Sequence, residues 1–238
     1  MPELFVTRRD RIAVLTLNRP EHGNRLTASL ASAVAEGLES ARGDPLIGAC
    51  VLTGAGNAFC LGGDYRGAGP TTEGRETYAD ALIAMDRAMA QLGKPLVAAV
   101  NGDAHAGGFA TVVACDLAVA ADDATLGLPE AAQGFFPFLA LAIVKDALPK
   151  KRLFDLVYSA RLMSAGEARA AQIVNECVAR SDVLERAVAL AEQAATHRAE
   201  MVALGRDLYY RMSGLPPREA LEEARRALLA AFDAAERP

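Results

Sequence analysis

Short apolar runs alternate with amphipathic segments along the first half of the chain, and this alternation most constrains its fold. Each run has the length and the aliphatic content of a buried strand. The segments between them repeat apolar residues at spacings of three and four, which is typical of helices. The predicted strands cover residues 12–17, 46–54, 96–102 and 117–121. Strands that alternate with helices predict an α/β fold.

Local end signals define the predicted helices. Thr27 offers a hydroxyl N-cap to a helix that stops at Gly43. A second helix is predicted to begin at Glu76, after a surface loop over residues 65–75, and a short helix is predicted over residues 108–115. These helices fill the gaps between the predicted strands, so the two patterns support each other.

Helical patterns dominate the last third of the chain. Ser164 and Glu167 form an S-x-x-E capping box, which indicates a helix start. Strand-forming runs cease near residues 160–175, where we place the predicted boundary. The expected units are a strand-containing core over residues 1–170 and a helical region over residues 171–238.

Composition and charge exclude several classes of function. Lys and Arg number 25 against 30 Asp and Glu, a formal charge of -5, so the chain lacks the basic surface of a nucleic-acid-binding protein. No run approaches about 18 apolar residues, and the N-terminus mixes acidic and basic residues, so we expect a cytoplasmic protein without a membrane span. The cysteines form no CxxC pair and the histidines no HxxxH pair, so neither disulfides nor a zinc site is predicted.

Glycine-rich turns follow two of the predicted strands. GAGNAF at residues 54–59 resembles a dinucleotide fingerprint, but Phe59 replaces the glycine or alanine needed for close helix packing. The turns LGGD at 61–64 and AGG at 106–108 are stronger candidates, because glycine lets backbone N–H groups approach a ligand closely. Two such N–H groups can stabilise negative charge on a carbonyl oxygen if the turns converge. The alternative is two ordinary strand-to-helix turns.

Glu130 is the candidate acid/base of the sequence. It follows Pro129 inside the apolar stretch LGLPEAAQGFFPFLA. Burial among apolar residues raises the pKa of a carboxyl group toward the range that suits proton transfer. The alternative is an exposed glutamate at the start of a helix, where the helix dipole favours negative charge.

Taken together, these segments resemble the crotonase superfamily, also called the enoyl-CoA hydratase/isomerase family. In chain order they are LNRPEHGNRL (17–26), VLTGAGNAFCLGGD (51–64), KPLVAAVNGDAHAGGFATVVACDLAVA (94–120), LGLPEAAQGFFP (126–137) and RLMSAGEARAAQIVNECV (161–178). The resemblance implies an α/β spiral of β-β-α units with C-terminal helices, assembled as a homotrimer or a dimer of trimers. It also implies an acyl-CoA thioester substrate, with coenzyme A part of that substrate and no metal or redox cofactor.

The resemblance also implies roles for individual residues. The N–H groups of Gly63 and Gly107 would form an oxyanion hole for the thioester oxygen, and Glu130 would be the catalytic acid/base. The positions that would contact CoA or substrate, the first two through their backbone, are Arg25, Leu26, Leu61, Gly62 and Asp64. We interpret the carboxylate of Asp64 as structural.

The chain departs from the family pattern at Ala110. Hydratases of the family generally use two glutamates, and Ala110 stands where the first would be, while Glu130 matches the second. One carboxylate is sufficient to move a proton from C2 to C4 of a 3-enoyl thioester, so we favour double-bond isomerisation. The alternatives are a hydratase that handles water differently, a CoA-ester hydrolase or decarboxylase, and a non-catalytic acyl-CoA-binding protein.

Several other residues are candidates for the acyl pocket. Asp103 and His105 stand beside the second glycine turn, where His105 can carry a proton or make a structural hydrogen bond. Phe135 belongs to a phenylalanine cluster that can form a pocket wall or pack in the core. Tyr65 and Tyr78 can hydrogen-bond a polar acyl group or lie on the surface.

Overall fold

The computed structural model describes residues 1–235, so the last three residues of the predicted helical region 171–238 lie outside it. The strands are β1 (Leu4–Arg9), β2 (Ile12–Leu17), β3 (Ala49–Gly54), β4 (Ala58–Cys60), β5 (Leu96–Val100), β6 (Asp103–His105), β7 (Leu117–Ala121), β8 (Thr125–Gly127), β9 (Leu162–Ser164) and β10 (Glu176–Val178). The helices are α1 (Ala28–Gly43), α2 (Thr72–Ala90), α3 (Gly107–Ala114), α4 (Phe138–Val144), α5 (Lys150–Ser159), α6 (Ala165–Ala170), α7 (Val183–Ala195), α8 (Ala199–Met212) and α9 (Pro217–Ala235). Within residues 1–235, no helix is long and apolar enough to cross a membrane.

The strands form two sheets that share a repeating β-β-α unit. The larger sheet has the order β1-β2-β3-β5-β7-β10, with β1 antiparallel to β2 and the other neighbours parallel. The smaller sheet has the order β4-β6-β8-β9. The first strand of each unit joins the larger sheet and the second joins the smaller one, as in β3-β4-α2 and β5-β6-α3. The predicted α/β fold is confirmed.

Parallel pairing explains the sequence of the central strands. Every residue of β3 and of β5 is buried. Parallel sheets are covered on both faces, so their strands are apolar throughout instead of alternating. Helix α7 supplies part of that cover, because Ala187 and Ala191 belong to the same buried cluster as β3 and β5.

Several element boundaries differ from the predicted ones. Helix α2 begins at Thr72 and not at Glu76, because the Thr71 hydroxyl accepts a hydrogen bond from Gly74 N (3.1 Å) and caps the helix earlier. The predicted strand 96–102 ends at Val100, and the three-residue strand β6 follows it. The sequence predicts that strands cease near residues 160–175. Two short strands, β9 and β10, nevertheless lie in or after this stretch and join the sheets. Runs of three residues are too short to give a period-two signal.

The predicted caps of two helices are confirmed. The Thr27 hydroxyl accepts a hydrogen bond from Leu30 N (3.0 Å) at the start of α1. Ser164 and Glu167 form both bonds of a capping box at the start of α6. Each cap satisfies backbone N–H groups that lack a partner within the helix, so these starts could be predicted from local chemistry alone.

Arg206 connects helix α8 to the larger sheet and to α2. Its side chain on α8 is 7% exposed and pairs with Asp116 (2.9 Å), which in turn accepts a hydrogen bond from Leu96 N (2.8 Å) at the start of β5. Arg206 also donates to the carbonyl oxygen of Ala90 at the end of α2 (2.8 Å). One guanidinium thus joins α8, α2 and the larger sheet.

Replacing Arg206 by leucine is expected to lower the free energy of unfolding by about 2 to 3 kcal/mol, because it leaves the Asp116 carboxylate without its cation. The figure is below that for a fully buried pair, since Asp116 is 29% exposed. Chemical denaturation measures the change. Arg211→Leu on the exposed side of α8 is the control, and equal losses in the two variants would show that the ion pair adds nothing.

Candidate active site

A large cavity lies between α2, α4 and the glycine turns at 61–64 and 106–108. Its volume is about 710 Å³. The lining residues include Leu26, Gly63, Tyr65, Arg66, Arg75, Tyr78, Leu82, Gly107, Glu130 and Phe135 to Ala140. Most of these side chains are apolar and only a few carry polar groups, which is the usual composition of a pocket for a small organic ligand.

The two glycine turns converge on one wall of this cavity. Strands β4 and β6 are parallel neighbours in the smaller sheet, so the chain leaves both at the same edge. A Cβ placed on Gly107 would lie only 3.6 Å from the backbone nitrogen of Gly63. The two glycine turns are therefore adjacent, as an oxyanion hole formed by both of them requires.

Neither N–H group donates a hydrogen bond to a backbone oxygen within residues 1–235. Leu26 pairs with the residues on either side of Gly63, donating to the oxygen of Gly62 (2.9 Å) and accepting from the nitrogen of Asp64 (2.7 Å). This pattern leaves the Gly63 N–H outside the pairing. Gly107 is the first residue of α3, where a backbone N–H has no partner within the helix. Both glycines line the cavity.

Close packing of the two turns requires small residues. Gly62 has φ +99°, and a Cβ there would lie 2.7 Å from the Cβ of Ala106. Ala106 itself has φ 53°, which is uncommon for a residue with a side chain. A Cβ on Gly108 would lie 2.0 Å from the carbonyl oxygen of Cys60. The sequence LGGD and AGG is thus needed to bring the two loops together.

Glu130 faces the same cavity from a 3-10 turn over residues 129–133. Its Oε2 atom is buried and has no hydrogen-bond partner within residues 1–235. Burial raises the pKa of the Glu130 carboxyl above its usual value. A carboxyl oxygen that is buried without a partner is costly for folding, so Glu130 is a candidate for a functional group.

Tyr78 places its hydroxyl group against the first glycine turn. A Cβ on Gly63 would lie 2.0 Å from the Tyr78 hydroxyl oxygen. Burial raises the pKa of Tyr78 to about 12, so the hydroxyl keeps its proton at neutral pH and can donate a hydrogen bond. The sequence indicates the position of Tyr78 through its helical spacing with Leu82, Met85 and Met89. That spacing places all four residues on the inward face of α2.

Arg66 and Arg75 line the cavity, and sequence reasoning missed both of them. The first lies in the loop before α2 and the second in the first turn of α2. No motif surrounds either arginine, so only the folded loop shows that they face the cavity. Their guanidinium groups give this part of the cavity positive charge.

The positions predicted to contact CoA form a hydrogen-bonded layer beside the cavity. Leu26 lines the cavity, whereas Arg25, Leu61, Gly62 and Asp64 are not among its lining residues. Arg25 Nη1 donates to the carbonyl oxygen of Leu61 (2.7 Å). Asp64 pairs with Arg19 (3.2 Å), whose Nη1 also donates to the carbonyl oxygen of Arg25 (2.6 Å). These contacts hold the segments 17–26 and 61–64 together, and they give the Asp64 carboxylate a structural partner.

Asp103 and His105 do not reach the cavity. Asp103 Oδ1 accepts hydrogen bonds from the backbone nitrogen and the hydroxyl of Thr125, both at 2.8 Å. His105 Nε2 lies 2.9 Å from the same hydroxyl oxygen, and burial lowers the pKa of its imidazole. Both side chains therefore connect β6 to β8. Phe135, in contrast, lines the cavity and stacks on Tyr65 with ring centroids 5.2 Å apart.

Ala110 lies on α3 at 2% exposure. It lines a second cavity of about 140 Å³ that adjoins the larger one. Glu130 is the only carboxylate among the residues that line the larger cavity, within the part of the chain that the structure describes.

Comparisons with known proteins show the family of the chain. A sequence model of the family "Enoyl-CoA hydratase/isomerase" matches residues 7–237. A Thermus thermophilus protein assigned as an enoyl-CoA hydratase is 36% identical over 208 residues, which are 86% of this chain and 82% of the relative. A carnitinyl-CoA dehydratase of Salmonella typhi is 32% identical over 228 residues, 95% of this chain and 87% of the relative. The crystal structure of an enoyl-CoA hydratase from Mycobacterium smegmatis has a TM-score of 0.92 and 28% identity, and the match covers 98% of this chain and 91% of that one. The chain therefore belongs to the enoyl-CoA hydratase/isomerase family, also called the crotonase family.

Proposed function

We propose that this acyl-CoA enzyme moves the double bond of a 3-enoyl-CoA into conjugation with the thioester. The observation that carries the proposal is the buried Oε2 of Glu130, which lines the cavity without a hydrogen-bond partner among residues 1–235. A carboxyl group in that setting can take up and return a proton. The adjacent N–H groups of Gly63 and Gly107 supply the other requirement, a site for a negatively charged oxygen.

The reaction needs one base and one oxyanion hole. Ionised Glu130 removes a proton from C2, and the electron pair of that C–H bond moves into a dienolate with negative charge on the thioester oxygen. The N–H groups of Gly63 and Gly107 donate hydrogen bonds to this oxygen and stabilise the intermediate. Neutral Glu130 then gives its proton to C4, and the double bond ends between C2 and C3. The base is regenerated, so no further reactant is required.

The cationic part of the cavity suits the phosphates of CoA. We assign Arg66 and Arg75 to this contact, because guanidinium groups bind phosphate oxygens in pairs of hydrogen bonds. The backbone at Arg25 and Leu26 remains the proposed contact of the adenine. Leu61, Gly62 and Asp64 support that contact through the hydrogen-bonded layer described above.

Hydration of a 2-enoyl-CoA is the second candidate, because relatives with hydratase and dehydratase names match most of the chain. The structure supports it less, since Ala110 can neither hold water nor transfer a proton. Hydrolysis or decarboxylation assisted by Asp103 or His105 has less support again, because both side chains bond to Thr125 outside the cavity.

An ultraviolet time course separates the candidates. Purified protein is mixed with a 3-enoyl-CoA and, in parallel, with its 2-enoyl isomer, because conjugation with the thioester changes the absorbance. A rise from the 3-enoyl ester is the expected result. Loss of absorbance from the 2-enoyl ester, without a rise from the other, would favour hydration and contradict the proposal.

We also propose that the chain assembles as a homotrimer or a dimer of trimers through its C-terminal region, residues 171–238. On α9, Leu221, Leu228 and Phe232 recur at helical spacing and are more than half exposed. An exposed apolar helix face is typical of a subunit contact.

Analytical ultracentrifugation is expected to show three or six copies of the chain. The double variant Leu228→Glu/Phe232→Glu should dissociate them, because it places two charges in the apolar contact. Leu46→Glu, at another exposed apolar position, is the matched control and should leave the assembly intact. A monomeric unmodified protein would contradict the proposal.

A further inference from the structure

The second cavity continues from the oxyanion wall into the space between α2, α3 and α4. Its volume is about 140 Å³. Gly107, at the start of α3, lines both cavities, as do Leu26, Leu82, Leu139 and Ala140. A ligand whose carbonyl oxygen lies at Gly107 can therefore extend into the smaller cavity.

Small residues on α3 create this space. Gly107, Ala110 and Ala114 line the smaller cavity and recur at spacings of three and four, so they share one face of the helix. A glutamate at position 110 would fill part of the volume. The cavity holds about five groups of roughly 30 Å³ each, the volume of a water molecule in the liquid. That is enough for the end of a short acyl chain.

Asp86 brings a carboxyl group into this otherwise apolar space. It lies on α2, opposite the small face of α3, and it is the only ionisable side chain that lines the smaller cavity among residues 1–235. The other polar lining residue is Thr111, whose hydroxyl already donates to the carbonyl oxygen of Gly107 (2.8 Å). Asp86 is thus the free polar group of the cavity.

The Asp86 carboxyl has neither a hydrogen bond nor an ion pair within the part of the chain that the structure describes. Its side chain is half-buried, and burial raises the pKa of the carboxyl above its usual value. A half-buried carboxyl is partly removed from water, and a ligand that supplies a hydrogen bond offsets part of that loss of hydration.

We propose that Asp86 binds a hydroxyl group on the acyl chain, which makes the preferred substrate a short oxygen-bearing acyl-CoA. This inference rests on the proposed acyl-CoA function. A hydroxyl group suits the site because it can donate to the ionised carboxyl and can both donate to and accept from the neutral one. An ammonium group can pair only with the ionised form and loses more hydration on entering an apolar cavity.

The position of Asp86 indicates a role in specificity and not in proton transfer. Asp86 lines only the smaller cavity, whereas Glu130 lines only the larger one. The reacting carbons lie beside Glu130 in the proposed reaction. Asp86 therefore contacts the far end of the acyl chain.

Binding of saturated acyl-CoA esters tests the inference without requiring any reaction. Calorimetry compares each plain ester from butanoyl-CoA to octanoyl-CoA with its counterpart that carries a terminal hydroxyl. At one chain length, the unmodified protein is expected to bind the hydroxylated ester about tenfold more tightly. Asp86→Leu should abolish this preference, and Asp86→Asn should keep most of it. Glu76→Gln, which removes a negative charge from an exposed position on α2, is the control and should behave as the unmodified protein.

The other outcomes overturn the proposal in different ways. Equal binding of plain and hydroxylated esters at every length, or a preference that persists in Asp86→Leu, would refute the role of Asp86 while leaving the acyl-CoA site intact. Failure of the unmodified protein to bind any ester would refute the acyl-CoA site itself. If Asp86→Leu binds a plain 3-enoyl-CoA but no longer turns it over, Asp86 takes part in the chemistry and the specificity role is wrong.

Discussion

Glu130→Gln is expected to lower kcat for 3-enoyl-CoA isomerisation by about 10² to 10⁴-fold, the range that general acid–base catalysis typically contributes. Glutamine keeps the size and shape of the side chain but cannot take a proton from C2. Binding of a saturated acyl-CoA should change little, because the proposed CoA contacts lie elsewhere in the cavity. The ultraviolet assay measures kcat, and calorimetry measures binding.

The same variant has an expected effect on stability. The fold raises the pKa of Glu130 by burial, so the native state disfavours the ionised form. The destabilisation is absent below the ordinary pKa of glutamate, about 4.3, grows as the pH rises above that value, and levels off above the raised native pKa. Glu130→Gln should therefore raise the melting temperature at neutral pH, with a difference that shrinks toward acid.

The pH dependence provides a further check of the base. Because Glu130 acts in its ionised form, the rate should fall on the acidic side of a pKa higher than that of an exposed glutamate. Glu185→Gln, at an exposed position on α7, is the control and should leave the rate, its pH profile and the stability nearly unchanged. Full activity of Glu130→Gln would show that another group removes the proton.

Local sequence signals predicted the long elements well and the short ones poorly. Strands β2 and β7 have the predicted bounds, and Thr27 caps α1 as expected, because each depends on a few neighbouring residues. Strands β6 and β10 have three residues each, so their pairing is decided by contacts that are distant in sequence. Such contacts leave no period in the sequence that a reader could detect.

The residues of the candidate site could also be predicted only in part from the sequence. The glycines at 63 and 107 could be identified because only glycine allows backbone N–H groups to approach a ligand so closely, and the resemblance indicated which turns to pair. Asp103 and His105 carry ionisable groups beside the turn, yet Thr125 holds both of them outside the cavity. The direction of a side chain depends on its partner in the folded protein, and Thr125 is about twenty residues away in the chain.

Gly107→Ala is expected to lower kcat by about 10² to 10³-fold while the protein folds normally. The new Cβ would lie 3.6 Å from the nitrogen of Gly63 and 3.7 Å from Cδ1 of Leu26, which are ordinary contact distances, so the turn can hold it. A thioester oxygen must lie about 2.7 to 3.1 Å from both N–H donors. A methyl group beside Gly63 N occupies space that this oxygen needs.

The matched control for Gly107→Ala is Gly205→Ala on α8, where a Cβ would meet nothing within 4 Å. That variant should keep full activity and gain about 0.5 to 1 kcal/mol of stability, since alanine favours a helix over glycine. Circular dichroism checks that both variants are folded, and the ultraviolet assay gives their rates. Undiminished turnover by Gly107→Ala would show that the thioester oxygen is not bound between the two glycine amides, because no oxygen could reach both past the added methyl group.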